Sequence, residues 1–184
     1  MDSHTKKSFI ATLRMFDHKV NLLESLYEKP ALATVNMGSG GFYTGRPQTQ
    51  DHSALLGIRP NAQGGASKPL KLLFRHTNDG YILSIKNTGE YYNKVMGERW
   101  LEVLGALDAD DNAIPFTLID PQNNTLTLDD LTATHSPISL RSKNNKYVGG
   151  LIIRGSSYVY LANTDERSKI TFILSILERK TSAT

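Results

Sequence analysis

Three stretches of the chain are versions of one another, which limits it to folds built from a repeated unit. The first starts near Leu32, with Leu32-Ala33-Thr34-Val35, a glycine turn and Gly41-Phe42-Tyr43. The second starts near Leu83 and runs through Ile85 to Tyr91-Tyr92, and the third starts near Leu140 and runs to Tyr147-Val148. Each then reaches an apolar pair: Leu55-Leu56-Gly57, Val103-Leu104-Gly105 and Tyr160-Leu161-Ala162. Each ends on a strand with a phenylalanine near its start, at Phe74, Phe116 and Phe172. A period of roughly 40–55 residues marks a repeat architecture, in which one unit alone cannot bury its apolar face.

From Ala31 onward the texture is short apolar runs punctuated by Gly, Pro and Asn-Asp, the pattern of an all-β sandwich or barrel. Asn78-Asp79-Gly80 is a strong turn between two such runs. Each unit reads as four strands; in the third they fall at 138–142, 146–150, 158–162 and 171–176. The polar segment 121–137 extends a strand or forms a small hairpin around Thr125-Leu126-Thr127-Leu128. Twelve strands in three sets bury a shared core and leave few open edges if they close about a pseudo-threefold axis.

This pattern of apolar strand, polar turn, Gly/Lys-x-Tyr, and a short strand before a Phe-containing strand resembles the β-trefoil superfamily, most closely its fascin-like branch. The resemblance covers about residues 31 to 178. The Gln-x-Trp tripeptide of the ricin-type lectin branch does not occur, the repeats are unequal in length, and Ala162 stands where the other two units have Gly. The fold expected is therefore an all-β β-trefoil over residues 31–184. The resemblance implies a binding module: trefoils include carbohydrate-binding proteins, actin-bundling proteins and protease inhibitors.

Residues 1–30 read differently. Phe9, Leu13, Phe16, Val20, Leu23 and Tyr27 are spaced 4-3-4-3-4, the stripe of an amphipathic α-helix. Ser8 would cap it, and Lys29-Pro30 would close it. Such a helix either packs on the body of the domain or pairs with a partner, including a second copy in a homodimer. Asp17, Glu24 and Glu28 break any basic face, which argues against membrane-surface binding.

The net charge of the 184 residues is only +3, and the basic residues are interleaved with acidic ones, so no stripe exists to follow a nucleic-acid backbone. No stretch approaches a membrane span. The absence of Cys removes thiol nucleophiles, Cys-based zinc sites and disulfides. With no standard signal peptide at the N-terminus, the expected location is cytoplasmic, or outside the cell by a route without a cleaved leader.

Catalytic motifs are not found. The histidines (His4, His18, His52, His76 and His135) are dispersed, Gly38-Ser39-Gly40-Gly41 lacks the Gly-Lys-Ser/Thr ending of a phosphate loop, and no pair of carboxylates is singled out for a glycosidase. The expectation is a non-enzyme without cofactor or metal. Binding chemistry is sought in the loop between the second and third strand of each unit, where a sugar would need an aromatic face and hydrogen-bonding side chains. The candidates are Asp51 and His52 in the first unit, Glu98, Arg99 and Trp100 in the second, and Arg154 and Tyr158 in the third. Trp100, the single tryptophan, either seals the barrel end or offers a stacking platform. The expected partner is a glycan or, alternatively, a protein such as a cytoskeletal component or a protease. The repeated rings at Tyr43, Tyr91 or Tyr92, Tyr147, Phe74, Phe116 and Phe172 are expected to fill the core.

Overall fold

Alternation of buried and open side chains through the first strand, Phe9-Ile10-Ala11-Thr12-Leu13-Arg14, sets the character of the whole chain. The computed structural model describes residues 4, 7–35, 48–64, 68–108 and 112–180, and they are predominantly β. Their strands are β1 (Phe9–Arg14), β2 (His18–Leu22), β3 (Leu32–Val35), β4 (Gln48–Asp51), β5 (Leu56–Pro60), β6 (Leu70–Thr77), β7 (Gly80–Ile85) and β8 (Val95–Trp100). Then come β9 (Val103–Leu107), β10 (Thr117–Ile119), β11 (Thr125–Leu126), β12 (His135–Arg141), β13 (Tyr147–Ile152), β14 (Val159–Thr164) and β15 (Phe172–Arg179). One short helix, α1 (Leu23–Tyr27), follows β2.

Six of these strands pair in a ring. β1 lies between β15 and β6, β6 pairs with β7, and β10 and β15 both pair with β12. The ring is completed by a bridge between Tyr81 and Phe116, whose amides donate to each other's carbonyls at 2.8 and 2.9 Å. The register repeats around it: Leu13 faces Leu174, Leu83 faces Phe74, and Leu140 faces Leu118. One step along the strands, Ala11 faces Leu72, Tyr81 faces Phe116, and Ile138 faces Phe172. Three hairpins, β2–β5, β8–β9 and β13–β14, stand beside the ring. They touch one another through Val159 with Ile58, Ala162 with Val103, and Leu55 with Gly105.

The core sits inside. A void of about 10 Å³ at its centre is bounded by four sets of three: Leu13, Leu83 and Leu140; Val20, Met96 and Val148; Leu56, Leu104 and Leu161; Leu72, Phe116 and Phe172. That volume is at the lower limit for one water, so the centre is filled with side chains. Phe74, Phe116 and Phe172 are all buried in this cluster, but their positions are not equivalent. The register matches Phe116 and Phe172 with Leu72, whereas Phe74 matches Leu118 and Leu174. Tyr147 is buried, Tyr91 is half-buried and Tyr92 is exposed. Tyr43 and the glycine turn at 38–41 lie outside the described residues.

The expected N-terminal amphipathic helix is not what the chain forms. Within residues 8–30, 9–14 and 18–22 are strands, and helix is confined to Leu23–Tyr27. In β1 the backbone finds partners on both edges, a more complete set of long-range hydrogen bonds than a short isolated helix obtains. Ser8 is not a helix cap: its hydroxyl donates to the His4 carbonyl and accepts the His76 amide. Phe9, Leu13, Val20 and Leu23 are buried within the domain, Tyr27 is half-buried and Phe16 is exposed, so most of the stripe packs inside the chain. The boundary expected at residue 30 follows α1, and β1 and β2 before it pair with strands after it. β3, expected to open the first unit, pairs among the described residues with β4 alone, in a separate two-stranded ribbon. Segment 121–137 does form a small hairpin with the preceding strand, Leu118 facing Leu126.

Candidate functional site

A second apolar cluster lies over the hairpins. It joins Leu23 and Leu26 of α1, Ala31, Ala33 and Val35 around β3, and Val103, Tyr158, Tyr160 and Ala162 of the hairpins. Residues 23–35 and 48–55, between β2 and β5, thus fold back on the hairpin ends. They are pinned by the Ala31 amide donating to the Ser53 hydroxyl at 2.9 Å and the His52 amide donating to the Ala31 carbonyl at 2.7 Å.

His52 is the hub. Its side chain is buried, with Nδ1 2.7 Å from the Tyr160 hydroxyl and Nε2 3.1 Å from Gln50 Oε1. The Tyr160 hydroxyl is also 2.6 Å from the Ser156 hydroxyl. A neutral imidazole protonated on Nε2 satisfies the whole chain: Ser156 donates to Tyr160, Tyr160 to Nδ1, and Nε2–H to Gln50. Burial pushes the His52 pKa down and favours this neutral form, against a smaller opposing effect of Asp51. The same burial pushes the Tyr160 phenol up.

Trp100 packs on this hub, its ring centre 4.4 Å from His52 and 6.0 Å from Tyr160. It is half-buried, so part of the indole reaches solvent. Asp51 is exposed; its carboxylate accepts the Ser53 hydroxyl and, at 2.9 Å, the Ser53 amide. Those two hydrogen bonds hold its pKa below the usual carboxylate range, with lesser help from His52 and Arg99. Arg99 is exposed and donates to the Ala106 carbonyl.

The sequence candidates therefore divide. Asp51 and His52, at the end of β4, meet Trp100 and Arg99, at the end of β8. Tyr158 belongs to the same cluster but is buried edge-on against Tyr27, at 5.0 Å, leaving no open face for a ligand. Glu98 is exposed and accepts the Asn163 amide at 2.7 Å. Arg154 is exposed on the turn between β13 and β14, beside Gly155, which lies against the Thr34 carbonyl. Sequence reasoning missed Tyr160 and Ser156 as members of the site. A tyrosine hydroxyl within a buried strand is the signal that would have found Tyr160, since such a group needs a partner.

A separate polar cleft of about 450 Å³ runs between α1 and the β7–β8 turn, with Asn21, Glu24, Glu90 and Tyr91 on its walls. There the Tyr91 hydroxyl donates to Glu24 at 2.8 Å; burial and that carboxylate push the phenol pKa up. Among the described residues no group of three or more His, Asp or Glu side chains is placed to hold a metal ion. None of their helices is long and apolar enough to cross a membrane. Comparison with family models, curated proteins and solved structures finds no match for this chain.

Proposed function

We propose that the protein is a non-enzymatic, carbohydrate-binding (lectin-like) β-trefoil, acting alone or as the recognition part of a toxin-like protein. The trefoil reading is supported by the six-stranded ring, the three hairpins that touch one another, and a core lined by four sets of three residues. On this reading the first unit is β1, β2, β5 and β6, interrupted by residues 23–55, and the fascin-like branch is the nearest in pattern.

The observation that carries the binding reading is the half-open indole of Trp100, fixed on His52 with exposed Asp51 and Arg99 in the same cluster. A pyranose presents an apolar C–H face, which stacks on an indole, and hydroxyls, which hydrogen-bond to a carboxylate and a guanidinium. Because the ring is already packed on one side, little side-chain freedom is lost on binding. A glycan array, followed by titration of Trp fluorescence, tests the assignment. Trp100→Ala and Asp51→Asn should each weaken binding at least about tenfold, roughly 1.4 kcal/mol. An array without hits, or affinity unchanged in folded Trp100→Ala, rules the site out.

The alternative is a protein-interaction module for a cytoskeletal partner or a protease. It is favoured by Leu101, which is 65% exposed at the tip of β8–β9 with φ +52, and by Ile152, 77% exposed at the end of β13. Capture of a defined protein that is lost in Leu101→Ser, with sugars inactive, selects this reading over the first.

A further inference from the structure

A cleft of about 400 Å³ lies beside β1, among the β1–β2 bend, the Lys68-Pro69 segment ahead of β6, and the place where β12 meets β15. Its floor is Leu13 and Val20, the side chains that also bound the central void. The half-buried Met15 and the ring of Pro69 continue that apolar surface. Two cations line the same cleft and have no partner. The Arg14 guanidinium and the Lys68 ammonium are exposed, and neither makes a hydrogen bond, an ion pair or a ring contact among the described residues. Lys68 is held instead by its backbone carbonyl, which accepts the Asn21 side-chain amide at 2.8 Å. No carboxylate among the described residues lines the cleft. Asp17, in the bend, is spent on His18 at 2.7 Å, a hydrogen bond that holds its pKa below the usual carboxylate range. The residues joining Gly64 to Lys68 are Gly65, Ala66 and Ser67, which carry no charge. Two other basic groups are occupied: Lys19 donates to the Gly64 carbonyl at 3.2 Å, and His135 Nδ1 meets the Ser175 hydroxyl at 2.7 Å.

We propose that this cleft binds a small amphiphilic organic anion, an acid group on an aliphatic or aromatic body. The acid group pairs with Arg14 and Lys68, and the body lies on Leu13, Met15 and Val20. An inorganic anion would satisfy the two cations and leave the apolar floor in water. A neutral apolar molecule would cover the floor and leave both cations unused. Only a ligand with both characters draws on burial of the floor and on charge-assisted hydrogen bonds at the rim. Arg and Lys suit the second task, because their aliphatic stems lie along an apolar body while their heads reach its charge. A concave, largely apolar site of this volume with a few polar groups takes a molecule of metabolite size.

Anilinonaphthalene sulfonate is the probe, an aromatic anion whose fluorescence rises when its rings leave water. Titration of the full chain at low ionic strength should show one saturable site. Octanoate should displace the dye, and octanol, the same chain without the charge, should need a concentration about tenfold higher. Arg14→Gln and Lys68→Gln remove the charge at exposed positions and leave the backbone bond from Asn21 to Lys68 intact. Each should weaken dye binding about two- to fivefold, and the double variant about tenfold. The Met15 methyl resonance should shift on addition of octanoate, which places the ligand on this floor and not on another apolar patch. Trp100→Ala should leave the affinity unchanged, so failure of the sugar site above would not touch this one. No saturable binding, octanol as effective as octanoate, a Met15 methyl that does not move, or affinity indifferent to the double variant overturns the proposal.

Discussion

Two glycines share a backbone conformation and differ in what surrounds them, which makes them a matched test of how the strand ring closes. Gly80 has φ +130 and Gly89 has φ +136, a region that L side chains rarely adopt. Alanine at either position costs about 1–3 kcal/mol in backbone strain. At Gly89 a Cβ would meet nothing within 4 Å. At Gly80 it would come 2.6 Å from the Phe116 carbonyl oxygen and 3.0 Å from its carbon. That carbonyl accepts the Tyr81 amide in the bridge between β7 and the start of β10. Crowding adds about 1–3 kcal/mol, and a displaced backbone hydrogen bond adds about 1 kcal/mol. Gly80→Ala should therefore be less stable than Gly89→Ala by about 2–4 kcal/mol. For a chain of this size about 1 kcal/mol moves Tm by roughly 2–4 °C, so the two should differ by about 4–16 °C in calorimetry. Equal Tm values would mean that no carbonyl approaches Gly80, and the closure at Tyr81 and Phe116 would be refuted.

Tyr160→Phe removes the hydroxyl that joins Ser156 to buried His52; urea denaturation should show a loss of about 1–3 kcal/mol, and a neutral result would remove this hydrogen-bonded chain from the account. Acid should destabilise the fold through the same histidine. Its folded pKa lies below the ordinary 6.5, so the unfolded chain takes up the proton first. His76 acts in the same direction. Stability should then be flat above about pH 7.5 and fall as pH drops through about 6.5, with His52→Gln reducing the slope in denaturation curves taken at several pH values. Leu161→Ala opens a cavity at the core centre and should cost about 2–5 kcal/mol. Leu177→Ala, at a 54% exposed position, should stay within about 0.5 kcal/mol, and similar losses for the two would contradict the placement of the core.

The third repeat was legible almost strand for strand, because its apolar runs are cleanly bounded by Asn144-Asn145 and by the turn before Tyr158. The first was not. On the proposed trefoil reading its four strands are split by residues 23–55, and β3 and β4 between them carry the same short-strand texture as the ring itself. The helix expected at the N-terminus arose from an ambiguity of period. A spacing of four keeps two residues on one face of a strand as well as of a helix, so Phe9 and Leu13 fit either. The steps of three fall at breaks: Phe16 is in the bend after β1, and Leu23 begins α1. At the site, Trp100 and His52 were each visible as unusual loop residues. Their contact depends on residues 23–35 and 48–55 folding over the hairpins, which local pattern does not encode. The three terminal phenylalanines misled by identity, since a two-residue offset in an alternating strand preserves the inward face.

The repeated register is best tested by cross-strand NMR. Nuclear Overhauser contacts should join Leu13 with Leu174, Leu83 with Phe74, and Leu140 with Leu118, and should also join Tyr81 with Phe116. Finding all four establishes the ring and its threefold repetition in solution. Contacts on the first three without the last, or a register shifted in any one repeat, would describe an open sheet and contradict the fold proposed for this chain.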